Sequence, residues 1–366
     1  MEVIYWYFLA FVSTIFFISL LSWPAKCVGL VDKPCGRKNH YGEVPLTGGL
    51  AMLLAITLTA FLHGTLKNDA FVILPPLLLI VVTGACDDRF DFSAGTRFLS
   101  QAVATLLIIY FGKVALTDLG DLFGWGLVRL HGWSVPFTIF CAVGMMNAIN
   151  MLDGIDGLAG GVVIAELMMF GGMALLSANK TEAALIFLVA SAVLGFMALN
   201  MRSPWRSKAE VFMGDAGSMM LGFLLAWFSI DLAEQMPKAF APITAVWILG
   251  IPILDTVSLM LRRMLKGKSP FSPGHDHLHH ILLRAGFTVP QTTIIITCLT
   301  LALGLLGIGA GIFGIHEYVM FYSFIFLSLV YFIGSSLEWK LTSYFKCISR
   351  FPTCLTSTGK NMSDES

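Results

Sequence analysis

The chain has 366 residues, of which 57% are hydrophobic and only 13% charged, against roughly 25% charged in an ordinary soluble domain. Mean hydropathy is +0.80, so most of the chain belongs in lipid. Lys plus Arg and Asp plus Glu stand at 23 each, a balance that names no nucleic-acid partner. The seven cysteines are odd in number and form no CxxC pair, which argues against a disulfide framework.

A membrane-spanning helix needs about 20 mainly apolar residues. Eleven segments qualify, near 3–22, 47–64, 70–85, 98–112, 136–151, 158–176, 183–200, 216–231, 242–261, 292–312 and 318–336. The expected fold is therefore an all-α polytopic membrane protein of about 11 transmembrane helices. The first segment follows Met1-Glu2 without a basic start or a small-residue cleavage site, and reads as a retained span. Pro75-Pro76 predicts a kink in the third. Of the 23 Lys and Arg, 18 follow odd-numbered segments and five follow even-numbered ones. The positive-inside bias then places the N-terminus in the periplasm and the C-terminus in the cytosol. Residues 1–336 read as one integral-membrane domain, and 337–366 as a cytosolic tail with a disordered end.

Chemistry-capable residues collect in the segments expected in the cytosol. LVDKPCGRKNHYGEVPLTGG from Leu30 carries Lys33, Arg37 and His40, contacts for a phosphate or lipid, though its basic residues also suit a juxtamembrane signal. Gly48 and Gly49 can let helices pack closely. CDDRFD then places Asp87, Asp88 and Asp91 within five residues, a repulsion that a cation or a raised pKa relieves. Arg89 and Arg97 are nearby counter-ions. In a continuing helix Asp91 neighbours both acids.

NAINMLDGIDGLAGG is the most specific stretch, with Asn147, Asn150, Asp153 and Asp156 spaced by three. Three such steps rotate about 180° on a helix, so the four converge only if the helix breaks, and Gly154 and Gly157 are the places for it. Oxygen ligands without cysteine suit Mg²⁺ or Mn²⁺ rather than Zn²⁺. AEVFMGDAGS sets Asp215 after Gly214 where a helix begins, a position suited to a nearby phosphate or to a simple N-cap. The last loop holds His275, His277, His279 and His280 beside Arg262, Arg263, Lys266 and Lys268, surroundings that fit a sugar phosphate better than zinc. Two acids, Glu166 and Asp255, fall inside spans. Acidic loops and a basic histidine loop on one face suit phosphoryl chemistry between two anions.

At CDDRFD, NAINMLDGIDGLAGG, FMGDAGS and HDHLHH the sequence resembles the polyprenyl-phosphate N-acetylhexosamine-1-phosphate transferases, over all five loops from about Val31 to Phe287. Leu278 interrupts the histidine run, which favours the small-sugar branch making undecaprenyl-pyrophosphoryl-GlcNAc over the branch that uses UDP-MurNAc-pentapeptide. The resemblance implies UDP-GlcNAc and undecaprenyl phosphate as reactants, UMP as by-product, Mg²⁺ or Mn²⁺ as cofactor and a multi-pass protein of the bacterial inner membrane. It implies the first step of enterobacterial common antigen or O-antigen lipopolysaccharide synthesis. Residue by residue, it puts Asp87, Asp88 and Asp91 at the reacting phosphates and Asn150, Asp215, Asp153 and Asp156 around the metal. Asn147, Phe212, Arg263, His277, His279 and His280 would hold the nucleotide-sugar, with Phe212 as a surface for uracil. Asp276 departs from the pattern and weakens anion binding locally. A membrane transporter is the competing class, but its sites lie near the midplane on broken helices. The oligomeric state stays open, a homodimer included.

Overall fold

The computed structural model describes residues 2–32, 43–64, 70–202, 205–270 and 276–337. Each of the eleven apolar segments coincides with a helix or a helix pair. In chain order these are α1 (Glu2–Val28), α2 (Gly48–His63), α3 (Ala70–Phe90), α4 (Ala94–Gly112), α5 (Ser134–Leu152), α6 (Leu158–Leu176), α7 (Lys180–Asn200), α8 (Gly214–Glu234), α9 (Pro242–Ile248) with α10 (Gly250–Leu265), α12 (Val289–Ile312) and α13 (Glu317–Ser336). A short α11 (Leu278–Arg284) lies between α10 and α12, and the two-residue strands β1 (Val31–Asp32) and β2 (Val44–Pro45) pair antiparallel before α2. Among the described residues eight helices are long and apolar enough to cross a membrane, or nine with the α9–α10 pair as one broken span. The chain is thus an all-α integral membrane protein.

α3 carries Pro75 and Pro76 inside one continuous helix. One element differs from the sequence reading. The run 242–261, expected as one span, bends by 80° between α9 and α10. Gly250 and Pro252 explain the break, since Pro252 has no N–H for the carbonyl four residues back and its ring crowds that turn. Beyond the bend α10 is amphipathic: Asp255, Ser258, Arg262 and Arg263 are buried, while Val257, Leu261, Met264 and Leu265 are exposed.

α8 is the central post, buried along almost its whole length and packed by α2, α3, α5, α6 and α9. Small residues let its neighbours come close at one end. A Cβ on Gly84 of α3 would lie 2.5 Å from the Ala216 Cα, and one on Gly49 of α2 would lie 2.3 Å from the Gly217 backbone nitrogen. These contacts seat the first turn of α8, which carries Asp215. Gly84→Ala is accordingly expected to lower thermal stability by about 1–3 kcal/mol, the usual range for overpacking, and to reduce activity at least tenfold. Gly144→Ala, whose Cβ meets nothing within 4 Å, is the control in melting and turnover assays. Equal behaviour of the two variants would contradict this packing.

The other end of the bundle is tied separately. Segment 113–133 folds back through Leu119 N–H to Val128 O and Val128 N–H to Gly120 O, both 2.9 Å. Lys238 Nζ binds Asp118 at 2.9 Å, Thr117 Oγ1 donates to Glu234 at 2.6 Å, and Asp121 N–H donates to Glu317 at 2.7 Å. Glu166 in α6 is fully buried, with neither carboxyl oxygen hydrogen-bonded among the described residues, and nothing in the structure explains it.

Candidate active site

Asp87 and Asp88 end α3, Arg97 starts α4, Asn150 ends α5 and Asp215 starts α8, so five residues from four helices meet at one end of the bundle. Asp215 Oδ1 accepts from Asn150 Nδ2 at 2.7 Å, and Asn150 Nδ2 also reaches Ser218 Oγ at 2.9 Å. The Arg97 guanidinium lies between two carboxylates, 3.2 Å from Asp87 Oδ2 and 3.4 Å from Asp215 Oδ2. Asp87 Oδ1 accepts the Phe92 N–H at 2.7 Å. Arg97 is thus the counter-ion of Asp87 that the sequence suggests, and it also reaches Asp215, a partner 118 residues away that the sequence does not show. Arg89, its expected companion, instead donates to the Val28 carbonyl at 2.9 Å.

The cap of α8 is supplied from another helix. Asp215 does not cap it with its own side chain; Asp88 Oδ1 accepts the Asp215 N–H at 3.0 Å and Oδ2 the Ala216 N–H at 3.5 Å. Gly214 adopts φ +68°, and a Cβ there would meet Asp88 Oδ2 at 2.4 Å, so glycine is required both by conformation and by space. Asp88 thus fixes the direction of Asp215.

Asp91 is not brought in. α3 ends at Phe90, and Asp91 follows at φ +52° with its side chain exposed. The helical neighbourhood with Asp87 and Asp88 that the spacing predicts survives only as a backbone bond from Asp91 N–H to Asp87 O.

The break expected at Gly154 and Gly157 is present. α5 stops at Leu152, Gly157 takes φ +82°, and α6 starts at Leu158. Asn200, buried at the end of α7, was missed by sequence reasoning. It accepts the Gly157 N–H at 2.8 Å and donates to the Val211 carbonyl at 2.8 Å, clamping this turn to the FMGD segment. Asp153 lies in the turn, and Asp156 is paired with Arg202 at 2.6 Å. Asn147 faces away from the turn, donating to Gln101 Oε1 at 2.8 Å. Phe212 is half-buried, its backbone bonded to Pro45 and Gly48.

The histidine loop reaches the same turn. His279 is buried against Gly154, where a Cβ would lie 2.4 Å from its Nε2. His277 and His279 stack with centroids 5.5 Å apart, and His279 and His280 lie at 4.2 Å. Arg263 is buried and donates to the Pro270 carbonyl at 2.8 Å, shaping the loop. Lys33, Arg37, His40 and His275 lie outside the described residues.

Crowding of acids sets the electrostatics. Burial, then repulsion from Asp215, pushes Asp88 up to about 7. Burial and the facing Asp215 push Asp87 up to about 6, against the Phe92 N–H and Arg97, which pull it down. Burial and the charges of Asp215, Asp88 and Asp156 push Asp153 to about 7. These raised values work against the folded state: the unfolded chain ionises near pH 4, while the folded cluster holds protons until near pH 7. Metal-free protein should therefore lose stability as pH rises from about 4 to about 7 and stay level above that. A bound divalent cation removes the repulsion, so Mg²⁺ is expected to raise the melting temperature more at about pH 8 than at about pH 5. Melting scans with chelator and with Mg²⁺ check this; an equal shift at both values would count against it.

Residues 70–233 match the glycosyl transferase family 4 model. The chain is 36% identical to the undecaprenyl-phosphate alpha-N-acetylglucosaminyl 1-phosphate transferase of Escherichia coli K12 over 342 residues, covering 93% of each protein. It is 36% identical to the enzyme of that name from Salmonella typhi over 347 residues, again 93% of each. With the Haemophilus influenzae enzyme it shares 31% over 341 residues, 93% of this chain and 95% of the relative. Identity at that level along nearly the whole length, over the same loops that build the cluster, means that the chain belongs to the family of the undecaprenyl-phosphate alpha-N-acetylglucosaminyl 1-phosphate transferases.

Proposed function

We propose that the protein transfers GlcNAc-1-phosphate from UDP-GlcNAc to undecaprenyl phosphate, releasing UMP. The observation that carries this is the meeting of Asp87, Arg97, Asn150 and Asp215 at one end of an apolar bundle, in a chain alike along its length to enzymes of that name. An acceptor phosphate on a lipid stays at the bilayer edge, where this cluster lies. Its oxygen attacks the sugar-bearing β-phosphorus; the bond to the bridging oxygen breaks, and UMP leaves with that oxygen. The acceptor, with a second pKa of about 6, is largely ionised at neutral pH, so Asp87 orients it more than it removes a proton. Asp88 holds the first turn of α8 by accepting its Asp215 and Ala216 N–H groups, which keeps Asp215 in place beside the reacting phosphates.

Mg²⁺ or Mn²⁺ fits the donor set. Among the described residues no three His, Cys, Asp or Glu side chains are arranged to hold a metal, but Mg²⁺ commonly takes one or two carboxylates and completes its shell with substrate phosphates and water. Asp215, Asn150 Oδ1 and Asp153 would supply the protein side, Asp156 being paired with Arg202. Bound there, the metal neutralises charge developing on the leaving phosphate. His277, His279, His280 and Arg263 are assigned to the sugar-phosphate end, and Phe212 to uracil.

The lysine and arginine count supports eleven crossings with this end in the cytosol, and likeness to the Escherichia coli enzyme supports a bacterial inner membrane. A reporter after Ser366 or near Ser272 is then expected in the cytosol, and one near Trp125 or Ala233 in the periplasm; a periplasmic signal at Ser272 would overturn the orientation. Sugar identity is tested with a panel of UDP-sugars, UDP-MurNAc-pentapeptide included, plus undecaprenyl phosphate, with the lipid product read by mass spectrometry. UDP-GlcNAc is expected to dominate. A pentapeptide-bearing product would move the protein to the other branch.

A further inference from the structure

Asp255 lies on the buried face of α10, where sequence shows only an acid within a span. The residue is 3% exposed, and its carboxylate receives three donors, two from the start of α11 and one from α13. Oδ2 takes His277 Nδ1 at 2.8 Å, while Oδ1 takes both the Leu278 N–H at 3.0 Å and the Tyr331 hydroxyl of α13 at 2.7 Å. Beside it the buried Arg262 donates to the Ser335 carbonyl of α13 at 3.1 Å and to the Asp276 carbonyl at 2.9 Å. Ser258 and Ser335 hydroxyls meet at 3.1 Å. The start of the histidine loop is therefore pinned to α10 and α13 on both sides of His277. From there the contact continues, since His277 stacks on His279, and His279 lies on Gly154 next to Asp153.

We propose that Asp255 is a positioning residue for His277, and that α13, which carries none of the site residues, belongs to the active site through Tyr331 and Ser335. Asp255 ties Nδ1 of His277, so Nε2 is the ring nitrogen turned to the sugar-phosphate end of the donor, in one orientation and as an acceptor for a sugar hydroxyl or amide N–H. This rests on the assignment of the histidine loop to that part of UDP-GlcNAc. A structural tie alone would set the same tautomer, but its loss would not reach kcat/KM through His277.

The division of donors between the two oxygens makes the test specific. In Asp255→Asn the amide oxygen keeps the Leu278 N–H and Tyr331 on the Oδ1 side. The amide nitrogen then faces His277 Nδ1, which must become an acceptor, so the proton moves to Nε2. Nitrogen-15 NMR of histidine-labelled protein is expected to show Nδ1–H for His277 in the wild type and Nε2–H in Asp255→Asn. An unchanged tautomer would overturn the proposal, and this arm needs no turnover. In kinetics with UDP-GlcNAc, Asp255→Asn is expected to lower kcat/KM about 10- to 100-fold, the usual effect of losing a partner that orients a functional histidine. Adding it to His277→Ala should change little, within about threefold, because the two act as one unit. Additive losses would mean that Asp255 acts independently of His277, against the proposal. Tyr331→Phe removes one of the three hydrogen bonds to the Asp255 carboxylate, and is expected to cost about tenfold in the wild type and nothing in His277→Ala. That pair decides the matter if Asp255→Asn does not fold. A wild type that turns over no UDP-GlcNAc would refute the proposed activity by itself and leave the tautomer measurement to test the tie between Asp255 and His277.

Discussion

Asp215→Asn is expected to lower turnover of UDP-GlcNAc about 10²- to 10³-fold, the range for removing one electrostatic stabiliser from a pre-organised site, with partial rescue by excess Mg²⁺ or Mn²⁺. Asp215 is where the cluster converges: Asn150 approaches one oxygen at 2.7 Å and Arg97 the other at 3.4 Å. An asparagine keeps a single oxygen and turns an N–H₂ toward one of two donors. It also removes a negative charge from the group assigned to the metal, so metal-dependent binding of the nucleotide-sugar weakens in ground and transition states alike. Rates and UDP-GlcNAc binding over a metal titration read this out. A loss of turnover with unchanged metal dependence would take Asp215 out of the metal site.

Asp87→Asn is expected to behave differently: turnover falls about 10²- to 10⁴-fold, UDP-GlcNAc affinity stays within a few-fold, and added metal has no effect. Oδ1 of Asp87 is already committed to the Phe92 N–H and Oδ2 faces Arg97, so this carboxylate is held to point at the space it shares with Asp215. A residue that orients the acceptor phosphate acts mainly in the transition state. Because both carboxylates share Arg97, the double variant should lose less than the sum of the single losses. Single-turnover rates and nucleotide binding distinguish the pair; metal rescue of Asp87→Asn together with normal metal response of Asp215→Asn would exchange their roles.

The long helices were legible as apolar runs, because lipid requires about 20 apolar residues whatever the function, whereas the short α11 lay hidden in the histidine loop. The α9–α10 bend was written in Gly250 and Pro252, yet composition alone gives a continuous run through them. The break after Leu152 was legible because spacing by three cannot converge on an unbroken helix. What stayed hidden depends on tertiary pairing. Asp88 reads as a reacting acid and caps α8 from a helix more than a hundred residues away in sequence. Arg97 reads as a loop cation and bridges two acids. Asp91 reads as one of a triplet, and one residue beyond the helix end was enough to turn it to solvent. Asn200 carries no signal except an amide at a helix end.

The central claim is transfer of a sugar together with its phosphate at this cluster. Purified protein is given Mg²⁺, undecaprenyl phosphate and UDP-GlcNAc labelled with ³²P in the phosphate attached to the sugar. The label is expected to pass into the lipid, with one unlabelled UMP released per lipid formed and transfer by Asp215→Asn about 10²- to 10³-fold slower at the same metal concentration. Label left on the nucleotide, meaning transfer of the sugar alone, or label in the lipid at undiminished rate without Asp215, would contradict that claim.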